Sequence, residues 1–215
     1  MDKDTIKKAL KNLKENSSKR NFKQTIDLII NLKDIDLKKV KVDFFVILHK
    51  EKGKDTKIAG LVGPELIDSS KKTLNTTIPV NEFEKYQKNP KLIKKLADDH
   101  DFFIGQATIM PKIATVFGRV LGPRGKMPNP KAGCVVPPNA NLSQVSDQLK
   151  KTIHLSTKKD PVIHTIAGSE DTSEEIIIDN AITIYNALLR QLPNRRNNIK
   201  SAYIKYTMSN PEKLM

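Results

Sequence analysis

At 215 residues and 24.2 kDa the chain can form one large domain or two small ones, each with its own core. Its 38 Lys and Arg against 24 Asp and Glu leave a net charge of +14 and a pI near 9.7, a balance that points to a polyanionic partner. One cysteine, Cys134, excludes an internal disulfide scaffold and a zinc ribbon; no signal peptide is visible and no apolar run approaches the ~20 residues of a membrane span, so a cytoplasmic protein is expected.

In chain order, Asp4 to Glu15 carries Ile6, Ala9, Leu10 and Leu13 at helical spacing, which predicts an amphipathic helix. From Phe22 the period changes: Ile26, Leu28, Ile30 and Leu32 alternate with Thr25, Asp27, Asn31 and Lys33, a half-buried strand. Val42 to Leu48 reads as a second strand after an Asp34 to Lys39 connection, and Lys50 to Thr56 as a linker. The middle alternates strands (Lys57 to Val62, Thr77 to Val80, Asp101 to Gly105, Val135 and Val136) with helices (Pro64 to Leu74, Asn81 to Gln87, Pro90 to Ala97, Pro111 to Leu121, Leu142 to Lys151). That alternation predicts a parallel sheet covered on both faces. Asn89 is the expected cap of its helix, and Gly122 the expected left-handed end of Pro111 to Leu121.

The last part returns to the first pattern. Thr152 to Ser156 and Val162 to Ala167 read as strands, and Thr172 with Glu175 as the capping box of a helix that Pro193 stops. Ile199 to Met208 then alternates Ser201, Tyr203, Lys205 and Thr207 with Ala202, Ile204, Tyr206 and Met208. The expected class is α/β: an α+β first domain built from both chain ends, residues 1–51 plus 158–215, with a second α/β domain inserted at 52–157.

Charge is unevenly placed. No Asp or Glu occurs between Phe102 and Ser146, a stretch that holds Lys112, Arg119, Arg124, Lys126 and Lys131. Another acid-free stretch, Asn180 to Pro211, holds Arg190, Arg195, Arg196, Lys200 and Lys205, and the N-terminal segment adds Lys7, Lys8, Lys11, Lys14, Lys19, Arg20 and Lys23. A merely solubilising surface intersperses both signs, so nucleic acid is the favoured partner.

Catalytic signals fail one by one. In LGPRGKMPNPKAG, Leu121 to Gly133, Gly122 and Gly125 are too close for a phosphate loop and Met127 stands where its hydroxyl belongs. His49, His100, His154 and His164 have no ligand spacing, and Cys134 has no activating partner. No cofactor, metal or catalytic residue is expected. The weighed alternatives are a nucleotide-binding enzyme that uses the Gly122 to Lys126 loop, and a basic protein docking on membrane through its N-terminal helix.

The same LGPRGKMPNPKAG run, with KRNFKQTIDL, DFFIGQ and SAYIKYTM in that order, resembles the large-subunit ribosomal protein L-one family, in its archaeal form. The resemblance implies a discontinuous first domain and a Rossmann-like inserted one. It implies an RNA-binding surface from the first strand region and the last strand, at Phe22, Thr25, Ser201, Thr207, Met208 and Ser209, where the family usually has glycine in place of Ser209. Arg20, Lys23 and Lys205 are expected to attract phosphate there, Phe22 to pack beneath the bonded groups, and Arg124, Lys126 and Lys131 to form a secondary basic loop. The implied partners are large-subunit rRNA at the mobile stalk, exit-site tRNA whose release it assists, and its own operon's mRNA as a translational repressor. The free protein is expected to be a monomer.

Overall fold

The computed structural model describes residues 1–18, 20–36, 42–157 and 160–215. Lys19, the end of the expected connection to Lys39, and the expected boundary residue 158 lie outside them. The chain divides into two compact units, residues 1–54 with 151–215, and residues 55–150.

In the first unit, helix α1 (Lys3–Asn16), strand β1 (Thr25–Leu32) and strand β2 (Asp43–Ile47) come from the N-terminal side. The second unit runs through β3 (Ile58–Val62), α2 (Ile67–Thr73), β4 (Thr76–Pro79), α3 (Phe83–Lys88), α4 (Pro90–Asp99), β5 (Phe102–Gln106), α5 (Met110–Leu121), β6 (Val135–Val136) and α6 (Leu142–Lys150). The chain then returns to the first unit with β7 (Thr152–Ser156), β8 (Val162–Ser169), α7 (Glu174–Gln191), β9 (Ile199–Tyr206) and β10 (Glu212–Lys213). The return falls seven residues earlier than the expected 158 because β7 pairs antiparallel with β2, Asp43 opposite Ser156 through Ile47 opposite Thr152.

The first unit is built on the antiparallel sheet β10-β9-β1-β8. Alternation decides which face is dry: Ile26, Leu28, Ile30, Ile163, Ala167, Ala202, Ile204 and Tyr206 pack into one core with the apolar stripes of α1 and α7. In α1 that stripe is Ile6, Ala9, Leu10 and Leu13, none more than 4% exposed, and truncating one of its leucines costs about 2–5 kcal/mol. The membrane-docking alternative needs this stripe free. It is spent on the core.

The second unit carries the all-parallel sheet β4-β3-β5-β6. Every residue of β3 is buried, as a central strand covered on both faces requires. Ala59, Leu61 and Phe103 join Ile93, Leu96, Ile113 and Phe117 on one side, while Gly60 faces Leu74 and Ser70 on the other. Asn89 caps α4, its side-chain oxygen accepting from Lys91 N at 3.2 Å.

Two expected caps are placed differently. Gly122 has right-handed angles, φ −58° and ψ −59°; the left-handed residue is Gly125, φ +68°. Lys126 N donates to Leu121 O and Gly125 N to Gly122 O, both at 3.0 Å, so the helix end is closed one turn later by the paired bonds of a Schellman motif. Thr172 does not cap α7 either. Its hydroxyl oxygen accepts from Ser169 N at 3.1 Å, within the preceding turn, and Ser173 holds the cap position.

Candidate nucleic-acid interface

The β1–β9 ladder, Ile26 opposite Tyr206 through Leu32 opposite Ile199, brings the residues before β1 and after β9 to one end of the sheet. Thr207 N donates to Thr25 O and Thr25 N to Thr207 Oγ1, each at 3.1 Å, and the two hydroxyl oxygens lie 3.0 Å apart. Thr25 Oγ1 donates to Asp27 Oδ1 at 3.1 Å. Thr25 spends its hydroxyl proton on Asp27, and Thr207, already accepting from an amide, directs its own toward Thr25. What the pair offers outward is acceptor capacity, which suits a ribose 2′-hydroxyl better than a phosphate oxygen.

Around this pair the backbone is fastened. Gln24 is 2% exposed, its side-chain oxygen accepts from Met208 N at 3.3 Å, and its carbonyl accepts from Glu170 N at 3.0 Å. Ser209 Oγ accepts from Tyr206 N at 2.9 Å, and Ser209 N donates to Tyr206 O at 3.2 Å. The serine thus closes the turn that follows β9. Ion pairs sit at the rim: Lys23 Nζ lies 2.5 Å from Asp171, and Lys14 Nζ 2.6 Å from Glu174. The Lys14 hydrogen bond holds the Glu174 carboxyl below its ordinary range and raises Lys14 above its own. Burial raises the nearby Tyr206 phenol, so it stays neutral.

The structure brings Phe22, Lys23, Thr25, Thr207, Met208 and Ser209 to this end of the sheet, with Arg20 exposed on the same approach and Lys205 opposite Asp27. Phe22 does not pack beneath the bonded groups. It is 51% exposed and Met208 60%, two apolar side chains in water beside the threonines. Ser201 is set apart: it is 8% exposed, its hydroxyl accepts from Asn31 Nδ2 at 2.9 Å, and six residues of strand put it about 20 Å from Thr207. Nor is β9 an outer edge, since β10 pairs with it at Tyr203 and Ile204. The candidate surface is therefore the end of the β1–β9 pair. Gln24, Asp27, Glu170 and Asp171 belong to it and carried no sequence signal beyond the strand alternation at Asp27.

The glycine-proline loop is organised differently. Lys126 Nζ donates to Ala97 O and His100 O, both at 2.7 Å, which satisfies carbonyls at the end of α4. The Arg124 guanidinium is held by the Asp98 carboxylate. Lys131 is exposed. Of the three expected cations two are therefore engaged in fastening the loop to α4.

The nucleotide alternative meets an occupied crevice. Strand order puts the switch point of the parallel sheet between the carboxyl ends of β3 and β5. There Gln106, 1% exposed, accepts from Gly63 N at 2.7 Å and donates to the Glu65 carboxylate at 2.6 Å. The amide that a phosphate needs is taken, and a carboxylate stands beside it. Cys134 is buried and its thiol is pushed up to about 11, so it is no nucleophile. His100 is held at both ring nitrogens, by Leu96 O at 3.0 Å and Thr76 Oγ1 at 2.8 Å. Among the described residues no helix is long and apolar enough to cross a membrane.

Comparison with known proteins gives a consistent assignment. Residues 13–210 match the model of the "Ribosomal protein L1p/L10e family". The chain is 40% identical to the large ribosomal subunit protein uL1 of Methanothermococcus thermolithotrophicus, over 100% of this chain and 99% of that one. It is 40% identical to the protein of that name from Thermococcus kodakarensis, over 96% and 95%, and 37% identical to that from Nanoarchaeum equitans, over 95% of each.

Proposed function

The chain belongs to the ribosomal protein L1p/L10e family, in its archaeal form, and from that premise we propose that it is a component of the large ribosomal subunit that grips rRNA of the mobile stalk with the Thr25–Thr207 end of its first unit. Its relatives are named as ribosomal proteins and not as enzymes, and the nucleotide-enzyme alternative falls with that. The observation that carries the reading is the pair of threonine hydroxyls. Their protons are spent inside the protein, each oxygen accepts one internal bond and keeps a second lone pair, and Phe22 and Met208, three residues before Thr25 and next to Thr207, are exposed. Such a surface accepts from ribose hydroxyls and covers them with apolar area, while Arg20 and Lys205, and Lys23 once phosphate replaces its partner Asp171, supply the salt-dependent attraction.

Two finer roles follow from the same reading. A surface that recognises a folded RNA also takes a messenger segment presenting the same fold, which supports repression of its own operon's mRNA. Placement on a mobile stalk supports assistance in releasing deacylated tRNA from the exit site. Titration of a stalk rRNA fragment and a random RNA of equal length, each at several salt concentrations, tests the primary role. The fragment binds about a thousandfold or more tighter at physiological salt, and replacing its contacted riboses by deoxyriboses removes most of that margin. Equal affinity for both RNAs at every salt concentration contradicts the reading.

A further inference from the structure

The face of the antiparallel sheet turned away from α1 and α7 carries a row of side chains, one from each strand. Lys213 on β10 is the register partner of Tyr203 on β9, Tyr203 of Ile29 on β1, and Ile29 of His164 on β8. Their strand neighbours Ile204, Leu28 and Ile163 are buried in the core, so this row looks outward. Lys213 and His164 are exposed, and Tyr203 and Ile29 half-buried. Next to it, Lys205, Asp27 and Ile166 form a second row that leads to Thr25 and Thr207.

We infer that this face is a stacking platform on which an unpaired base of the bound RNA lies against Tyr203, with Lys213 and Lys205 meeting its flanking phosphates. The inference rests on the RNA-binding reading above and extends it to a surface about 14 Å wide, three strand spacings. Two observations select RNA over a protein as the occupant. The platform has a lysine at one end and an imidazole at the other, whereas lysine is depleted in the cores of protein interfaces. Its aromatic and aliphatic centre, with Lys213 and Lys205 beside it, is the arrangement by which open four-stranded sheets hold single-stranded bases. Asp27, the acid of the second row, takes the Thr25 hydroxyl proton and stands opposite Lys205.

The test uses the full chain and the stalk rRNA fragment. Tyr203→Ala weakens binding about five- to hundredfold with an unchanged slope against salt, and Tyr203→Phe, which keeps the ring, binds like the parent. Lys213→Ala instead lowers the salt slope by about one. Tyr203→Trp places a reporter at the same point, and its emission is quenched on adding the fragment. Full affinity in Tyr203→Ala, or unquenched emission in Tyr203→Trp, overturns the inference. If Thr207→Ala still loses affinity in that case, the primary site stands without the platform; if neither variant loses affinity, both readings fail.

Discussion

The Thr25–Thr207 end of the first unit and the Leu121–Gly133 loop of the second are both conspicuous in the sequence, and they use their polar groups in opposite directions. In the loop, charge turns inward: Lys126 satisfies carbonyls of α4 and Arg124 is tied to Asp98. At the sheet end, neutral hydroxyls bond to one another and to backbone, yet leave acceptor capacity and two apolar side chains facing water. A cation in the sequence counts toward a binding surface only after its internal partners are known. By that measure the sheet end, whose hydroxyls keep acceptor positions open, is the better candidate for RNA recognition, and the glycine-proline loop is first a structural clasp.

Three variants sharpen or break the contrast. Thr207→Ala removes the oxygen that accepts from Thr25 N and should cost rRNA binding about 1–3 kcal/mol, roughly five- to 150-fold, in a filter titration. Affinity within twofold of the parent would place recognition elsewhere. Lys126→Ala should leave that affinity unchanged and lower the stability of the second unit by about 1–2 kcal/mol, because two carbonyls lose a charged donor; thermal unfolding reads the shift. Loss of affinity without loss of stability would reverse the contrast. The smallest effect belongs to Glu174→Gln, which breaks the exposed Lys14 pair between α1 and α7 and should cost at most about 1 kcal/mol at neutral pH. The sign follows from the carboxyl being held below its ordinary 4.5: its contribution is present above that value and is lost as pH falls through the lowered one. Parent and variant should therefore converge in strongly acidic solution, and a gap that persists there would mean the pair is not its cause.

Much of this architecture was legible in the residues. The two-residue period of Ile26 to Leu32 and the 3.6-residue period of Ile6 to Leu13 identify buried faces because burial is what imposes them. The strand–helix alternation of the middle segment gave its parallel sheet for the same reason. Three things were not legible. The cap at Gly125 depends on bonds made one turn beyond the last helical residue. The burial of Ser201 against Asn31 depends on a partner 170 residues away. Phe22 is expected beneath the bonded groups and Met208 alternates with buried Ala202, Ile204 and Tyr206, yet both are exposed, because they lie past the ends of β1 and β9, where no layer covers them. Long-range pairing decides such cases, and local pattern carries none of it.

Hydroxyl-radical footprinting of the full chain, free and bound to the stalk rRNA fragment, tests the central claim most directly, because Phe22 and Met208 are reactive side chains 51% and 60% exposed in the free protein. Labelling of both should fall sharply on binding, while that of Met127 in the glycine-proline loop stays constant. Protection of Met127 with Phe22 and Met208 unchanged would contradict the account.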